Sequence, residues 1–252
     1  MNDMRRPVTI VTGAGRGIGA ATALLLAERG HDVVVNYRQD EASAMQVVEA
    51  AVEAGARAIA VRADVTVDDD VTRLFATAID ALGAVSGLVN NAGATLHIGD
   101  LADTPVATIR AVIDVNLVSV ILCSRRAAQV MSTGRGGSGG AIVNVSSAAA
   151  TLGSAHEYVH YAAAKAGVDT LTLGLAKELA RDGIRVNAVA PGVARTDIHR
   201  DAGAPDRAER SAERIPLGRP ADPSEIARVI AWLLGPEATY VTGAILRAAG
   251  GL

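Results

Sequence analysis

The apolar runs in this chain are short, and within each run the apolar residues are continuous rather than alternating. Val8–Val11, Asp32–Asn36, Ala58–Arg62, Gly87–Asn90, Ala141–Val145, Arg185–Ala190 and Ala244–Arg247 are each four to six residues long. A strand with one wet face alternates apolar and polar residues, whereas a strand covered on both faces does not. Between the runs lie longer helix-like stretches: Gly19–Arg29, Glu41–Ala54, Asp69–Leu82, Pro105–Met131, Tyr158–Ala180 and Ser224–Leu234. This alternation predicts a doubly wound α/β fold, a parallel sheet of about seven strands with helices on both faces. The chain has 252 residues, half of them hydrophobic, which suits one domain spanning 1–252.

Local signals sharpen the boundaries. Thr104 before Pro105 reads as an N-cap followed by proline in the first turn, and Asp222-Pro223-Ser224 opens the last helix in the same way. Two segments break the rhythm. Gly134–Gly140 reads as a flexible connector, since no lysine follows its glycines and it ends a helix instead of starting one. The stretch 194–220 lies far from any strand and is rich in Arg, Asp, Ala and Pro, including Arg195, His199, Arg200, Arg207, Arg210 and Arg214. A loop of that length with helical tendency is expected to be a substrate lid.

Composition excludes several classes. A net charge of −3 with dispersed arginines gives no nucleic-acid footprint. The single cysteine, Cys123, precludes an internal disulfide and sits in an apolar run, as a buried inert thiol would. Met1–Pro7 leads directly into a strand and lacks a secretory pattern, and no apolar stretch is expected to reach membrane-spanning length. A cytoplasmic location without membrane partners follows as the expectation.

Tyr161-Ala162-Ala163-Ala164-Lys165 places a phenol and an ammonium one helical turn apart, on one face. A nearby cation favours the phenolate, so the pair suits proton transfer near neutral pH. Lys165 and Lys177 are the only lysines in a chain that otherwise uses arginine. A compact ammonium that also hydrogen-bonds a sugar hydroxyl differs from a guanidinium in what it can do.

At the other end of the chain, Val8–Val11 runs into Thr12-Gly13-Ala14-Gly15-Arg16-Gly17-Ile18-Gly19 and then an Ala/Leu-rich helix. Strand, glycine turn and helix N-terminus together make a dinucleotide cradle: glycines admit the pyrophosphate, and free N–H groups face it. The pattern Thr12-Gly13-x-x-x-Gly17-x-Gly19 resembles the nucleotide loop of the short-chain dehydrogenase/reductase family, a Rossmann-type fold. Further motifs follow in order along nearly the whole chain. Asp64, followed by Val65, resembles the family's adenine-contacting acid, and Asn91-Ala92-Gly93 closes its motif after the fourth strand. Asn116 resembles the mid-helix asparagine, Ser146-Ser147 the serine after the fifth strand, and Tyr161-x-x-x-Lys165 the central pair. Pro191-Gly192-Val193 with Thr196 resembles the turn that embraces the nicotinamide.

The second strand ends Asn36-Tyr37-Arg38, with no carboxylate at its tip to meet a bare ribose; Asp40 comes later. Arg38 and Arg16 suit a 2′-phosphate, so NADP(H) is expected over NAD(H). The resemblance implies hydride transfer between nicotinamide and a carbonyl or alcohol carbon. It makes Tyr161 the acid/base, Lys165 its tuner and ribose contact, Ser147 the holder of the substrate oxygen, and Asn116 the support of a proton relay. It also implies a homotetramer using the helices near 105–131 and 158–180. Ser147 is preferred to Ser146 because neighbouring strand residues point to opposite faces.

His156-Glu157-Tyr158-Val159-His160 matches the zinc-protease pattern His-Glu-x-x-His. The segment follows Leu152-Gly153-Ser154 so closely that His156 should fall in a loop, and no metal is expected. His156, Glu157 and His160 are instead expected near the substrate pocket. Substrates left open are a sugar or polyol, a small ketone, or a 3-oxoacyl thioester. A non-catalytic dinucleotide sensor would carry a damaged Asn/Ser/Tyr/Lys set, and this chain keeps all four.

Overall fold

In the computed structural model, which describes residues 6–252 apart from 199, 201 and 205, the apolar runs form one parallel sheet. The expectations for His199 and for the first five residues of Met1–Pro7 lie outside the described residues. The strands are β1 (Val8–Val11), β2 (Asp32–Tyr37), β3 (Ala58–Arg62), β4 (Val85–Asn90), β5 (Gly140–Val145), β6 (Ile184–Pro191) and β7 (Ile245–Ala248). Their order is β3-β2-β1-β4-β5-β6-β7. From β1 the chain first builds outward through β2 and β3, then returns to place β4 on the other side. That reversal opens a crevice at the carboxyl ends of β1 and β4.

The continuous apolar runs have a direct cause. Ile10 and Val34 face one helical layer, and Val11, Val33 and Val35 face the other. Helices α1 (Gly17–Glu28) and α2 (Glu41–Glu53) cover the second face, and α3 (Asp68–Leu82) covers the first. Farther along come α4 (Val106–Ile113), α5 (Ser119–Met131), the single turn α6 (Ala149–Leu152), α7 (Val159–Leu179), the single turn α8 (Arg207–Arg210) and α9 (Pro223–Leu234). Buried residues of α5 and α7 join the α3 layer, and those of α9 join the α1–α2 layer.

Four expectations are corrected. The stretch expected as one regular helix from Pro105 to Met131 is α4, a π-helical turn over Asp114–Val118, and α5. Thr104 does not cap it: its hydroxyl donates to Asp100 O at 2.9 Å, and Pro105 is the cap residue, with no side-chain bond. The continuous helix Val106–Met131 has 26 residues and a mean hydropathy of 2.0, enough by length and composition alone to cross a membrane. Its buried face, including Val112, Val120, Cys123, Ala127 and Met131, packs into the core. Gly134–Gly140 is a bonded turn, not a flexible connector. Gly137 N donates to Ser132 O at 2.8 Å, Gly139 N to Met131 O at 2.7 Å and Gly140 N to Gly183 O at 2.9 Å. The last helix follows expectation: Asp222 and Glu225 form a full capping box with Pro223 in the first turn.

Phe75 is the single phenylalanine and is fully buried between α3 and the sheet. Phe75→Ala is expected to lower stability by about 3–5 kcal/mol in urea unfolding, from lost burial plus the cavity left behind.

Candidate active site

The crevice at the strand ends is a cavity of about 820 Å³ that runs from the glycine loop to the start of α7. Its cofactor-facing wall carries Gly13, Gly15, Arg16, Gly17 and Ile18 from the first loop and Asn36, Tyr37 and Arg38 from the second strand. Asp64 and Val65 follow β3, Asn91, Ala92 and Gly93 follow β4, and Pro191, Gly192, Val193 and Thr196 follow β6. Thr12 and Gly19 stand behind this wall and shape it.

Hydrogen bonds fix the glycine loop against the β4 loop. Asn91 Nδ2 donates to Thr12 O at 2.9 Å and Gly13 O at 3.0 Å. Thr12 Oγ1 accepts from Asn91 N at 2.9 Å and Ala92 N at 3.0 Å. A Cβ on Gly19 would lie 2.5 Å from both Gly13 O and Asn91 Nδ2, so only glycine fits there. Gly13 and Gly17 have φ of 61° and 56°, the left-handed region that glycine adopts without strain. No side chain caps the N-terminus of α1. Bare backbone, close approach and a helix N-terminus fit a dinucleotide pyrophosphate.

Asn36 serves the backbone: its Oδ1 accepts from Gly13 N at 3.2 Å and its Nδ2 donates to Ala63 O at 3.1 Å. Asp40 caps α2, accepting from Ser43 N at 3.0 Å. Arg38 lies at the rim, 3.7 Å from Asp64, and Arg16 lies 3.6 Å from Asp197. Burial acts to raise the Asp64 carboxyl, but bonds from the Thr66 hydroxyl and amide, with the Arg38 charge, hold it below its usual value.

At the chemical end, Tyr161 and Lys165 are buried on the first turns of α7. Ser147 lines the cavity with Tyr161, and its hydroxyl accepts from Ala149 N at 3.1 Å, while Ser146 turns away and donates to Lys165 O at 3.4 Å. Lys165 Nζ donates to Val145 O at 2.8 Å and sits 5.7 Å from the Tyr161 ring centroid. Asn116 is outside the cavity wall, in the π-helical turn. Its Nδ2 donates to Val112 O at 2.9 Å and to Ala94 O at 2.7 Å, joining the helix to the β4 loop. A Cβ on Gly93 would stand 2.7 Å from Asn116 Oδ1 and 3.5 Å from Lys165 Nζ. The bare glycine therefore brings backbone, asparagine and lysine together.

Several expectations change. The ammonium was expected to lower the Tyr161 phenol, but burial raises it, and the Ser147 hydroxyl only partly offsets this. The same burial lowers Lys165 from 10.5 to about 8, with Asp169 opposing. Burial pushes the Cys123 thiol up to about 12, leaving it inert. Of the three residues expected at the substrate pocket, only Glu157 lines it. His156 is exposed in the loop, with φ of 61°, and pairs with Asp100 at 2.8 Å. His160 is buried on α7, so the two histidines do not share a helical turn. Tyr158 lines the same end, as does Arg207 from the stretch expected as the lid. The phenol lacks a lysine one turn later, but its cation comes from a distant segment.

A doubly wound sheet with a glycine cradle at its switch point and a buried serine–tyrosine–lysine cluster beside it defines a dinucleotide-dependent oxidoreductase. Residues 13–252 match the family model described as enoyl-(acyl carrier protein) reductase. The chain is 44% identical over 245 residues to the uncharacterized oxidoreductase YgfF of Escherichia coli (strain K12), covering 97% of this chain and 99% of that protein. It is 46% identical over 244 residues to a cis-4-hydroxycyclohexanecarboxylate dehydrogenase of Sinomonas cyclohexanicum, covering 97% and 95%. A crystal structure of a dehydrogenase/reductase from Sinorhizobium meliloti 1021 superposes with a TM-score of 0.89 at 37% identity, covering 97% of this chain and 94% of that one. The chain belongs to the short-chain dehydrogenase/reductase family, and it is an oxidoreductase of that family.

Lys165 gives a pH dependence with a definite sign. Its folded value lies below its unfolded one, so between about pH 8 and 10.5 the unfolded chain holds a proton that the folded chain has released. Stability from this group therefore rises with pH across that window, and below it the buried charge costs its full amount, of the order of 3 kcal/mol. Lys165→Met is expected to remove that rise and to be the more stable form at about pH 7, read by urea unfolding at about pH 7 and about pH 10.

Proposed function

We propose that this chain is an NADP(H)-dependent enzyme that interconverts a carbonyl and an alcohol, with Tyr161 as the acid and base. The observation that carries the reading is that Ser147, Tyr161 and Lys165 line one end of the cavity whose other end is the glycine cradle. The nicotinamide, when bound, supplies or accepts the hydride. Ser147 holds the substrate oxygen beside the phenol. Tyr161 gives that oxygen its proton in reduction and takes it back in oxidation. Lys165 contacts the nicotinamide ribose and, with a proton held near neutral pH, restores the one Tyr161 gives up. Asn116 holds the loop of Gly93 and Ala94 that lies beside Lys165 and so supports the relay.

The preference for NADP(H) rests on the rim of the adenosine end. Asp40 is spent on capping α2, which leaves Arg38 and Arg16 as the charged groups from the first two loops lining the cavity beside it. Guanidinium groups suit a 2′-phosphate, and a free ribose has no carboxylate to meet at the strand tip. Segment 194–220 serves as the lid over the substrate end, and the enzyme acts as a cytoplasmic homotetramer through α4, α5 and α7. A small ketone with its secondary alcohol is the leading substrate class, in keeping with the cyclic hydroxy acid named for the Sinomonas relative. Sugars or polyols and 3-oxoacyl thioesters form the rest of the panel.

Tyr161→Phe is expected to lower kcat by at least about a hundredfold while the NADPH Kd changes by less than about twofold. Turnover near the parent level in that variant would reject the acid/base role. Arg38→Ala is expected to lower kcat/KM with NADPH by about tenfold or more and to leave NADH little affected. A parent enzyme that works better with NADH would reject the cofactor reading.

A further inference from the structure

Arg207 lies fifty residues beyond Glu157, on the single turn α8, yet its guanidinium grips the loop just before α7. Its Nη1 donates to Glu157 Oε1 at 2.8 Å and its Nη2 to Glu157 Oε2 at 2.6 Å, a two-pronged pair. Nη2 also donates to the Tyr158 hydroxyl at 2.9 Å, and the guanidinium stands 5.1 Å from the centre of that ring. The Tyr158 ring in turn meets Tyr161 edge-to-face, with centroids 5.3 Å apart at 83°. Both partners are largely shielded, with Arg207 at 16% and Glu157 at 25% side-chain exposure. Burial alone would lower the Arg207 pKa, but the Glu157 and Tyr158 contacts outweigh it. A shielded pair of this kind is expensive to break. Glu157 O also accepts from Gly99 N at 2.7 Å, which ties in the loop after β4.

We propose that Arg207 is a positioning residue: by clamping Glu157 and Tyr158 it holds the α8 turn at the substrate end and fixes Tyr161 through the Tyr158 ring. The inference rests on the reading of Tyr161 as acid and base. Its chemistry is geometric. A planar fork meets a carboxylate with two parallel bonds and still spares a donor for the phenol, which an ammonium cannot reproduce. The pair also leaves the substrate end without a bare cation from Arg207, because the Glu157 carboxylate takes up its charge.

The test uses Arg207→Ala, Arg207→Lys, Tyr158→Phe and the Arg207→Lys/Tyr158→Phe double variant. Each is assayed in steady state on one ketone with NADPH, with NADPH Kd and Tm measured alongside. Arg207→Ala and Arg207→Lys are expected to raise the ketone KM by about tenfold and lower kcat several-fold, with NADPH Kd within about twofold of the parent. Tyr158→Phe is expected to act in the same direction and to add little to Arg207→Lys, because both break one chain of contacts. A purely structural pair would give a lower Tm with KM unchanged, or losses in ketone and NADPH binding alike, and either result overturns the proposal. Full additivity of Arg207→Lys and Tyr158→Phe does so as well. If Arg207→Ala does not fold, the Arg207→Lys and Tyr158→Phe variants still decide. An inactive Tyr161→Phe beside a parent-like Arg207→Lys sinks only the Arg207 role, whereas an active Tyr161→Phe sinks the acid/base reading itself.

Discussion

The Asn91 side-chain amide, lying across the carbonyls of Thr12 and Gly13, is the contact on which the cavity depends. β1 and β4 are neighbours in the sheet but far apart in the chain, and no local turn joins them at their carboxyl ends. The crevice exists because the chain builds away from β1 in both directions. Left unbonded, the two loops that flank it would be free to drift apart. Asn91 and the Thr12 hydroxyl close that gap with four hydrogen bonds between side chain and backbone. Gly19 completes the arrangement by leaving room for the amide. The cradle is thus set by tertiary bonds before any ligand enters, which is what preorganised recognition of a pyrophosphate requires.

The same device recurs one layer deeper. The Asn116 amide takes the Val112 carbonyl that a regular helix would bond through its own backbone, and the helix widens into a π turn. The widening lets Asn116 reach Ala94, and bare Gly93 keeps a side chain out of the space between Asn116 and Lys165. A methyl group there would separate the lysine from the loop. Helix geometry, a missing Cβ and a buried cation therefore depend on one another.

The sheet was legible because each strand is buried on both faces, and that leaves a continuous apolar signature no other element shares. The cradle was legible because glycine spacing and the strand–helix context act locally. What failed had distant causes. Thr104 resembles a cap, but its hydroxyl finds Asp100 first. Gly134–Gly140 resembles a linker, yet its N–H groups find carbonyls on Met131, Ser132 and Gly183. The π turn comes from a side chain reaching a loop more than twenty residues away. His156 and His160 fit a metal pattern by spacing alone, and a left-handed backbone at His156 puts them apart. The Tyr158 hydroxyl meets Arg207, 49 residues on in a segment with no periodic pattern, which no local spacing marks.

The pair that sequence spacing marked most clearly, Tyr161 and Lys165, is also where sequence spacing misleads about energetics. Four residues on a helix suggest a cation stabilising a phenolate, as it would in water. Inside the fold, burial penalises both charged forms, so the phenol rises and the ammonium falls. Each group is thereby drawn toward its neutral state, and the proton on Lys165 is held loosely while the one on Tyr161 is held tightly. The Ser147 hydroxyl and Asp169 oppose that burial from either side, one favouring phenolate and the other favouring ammonium. In the proposed chemistry a low-dielectric pair of this kind responds strongly to whatever charge is brought beside it, because little water remains to screen it.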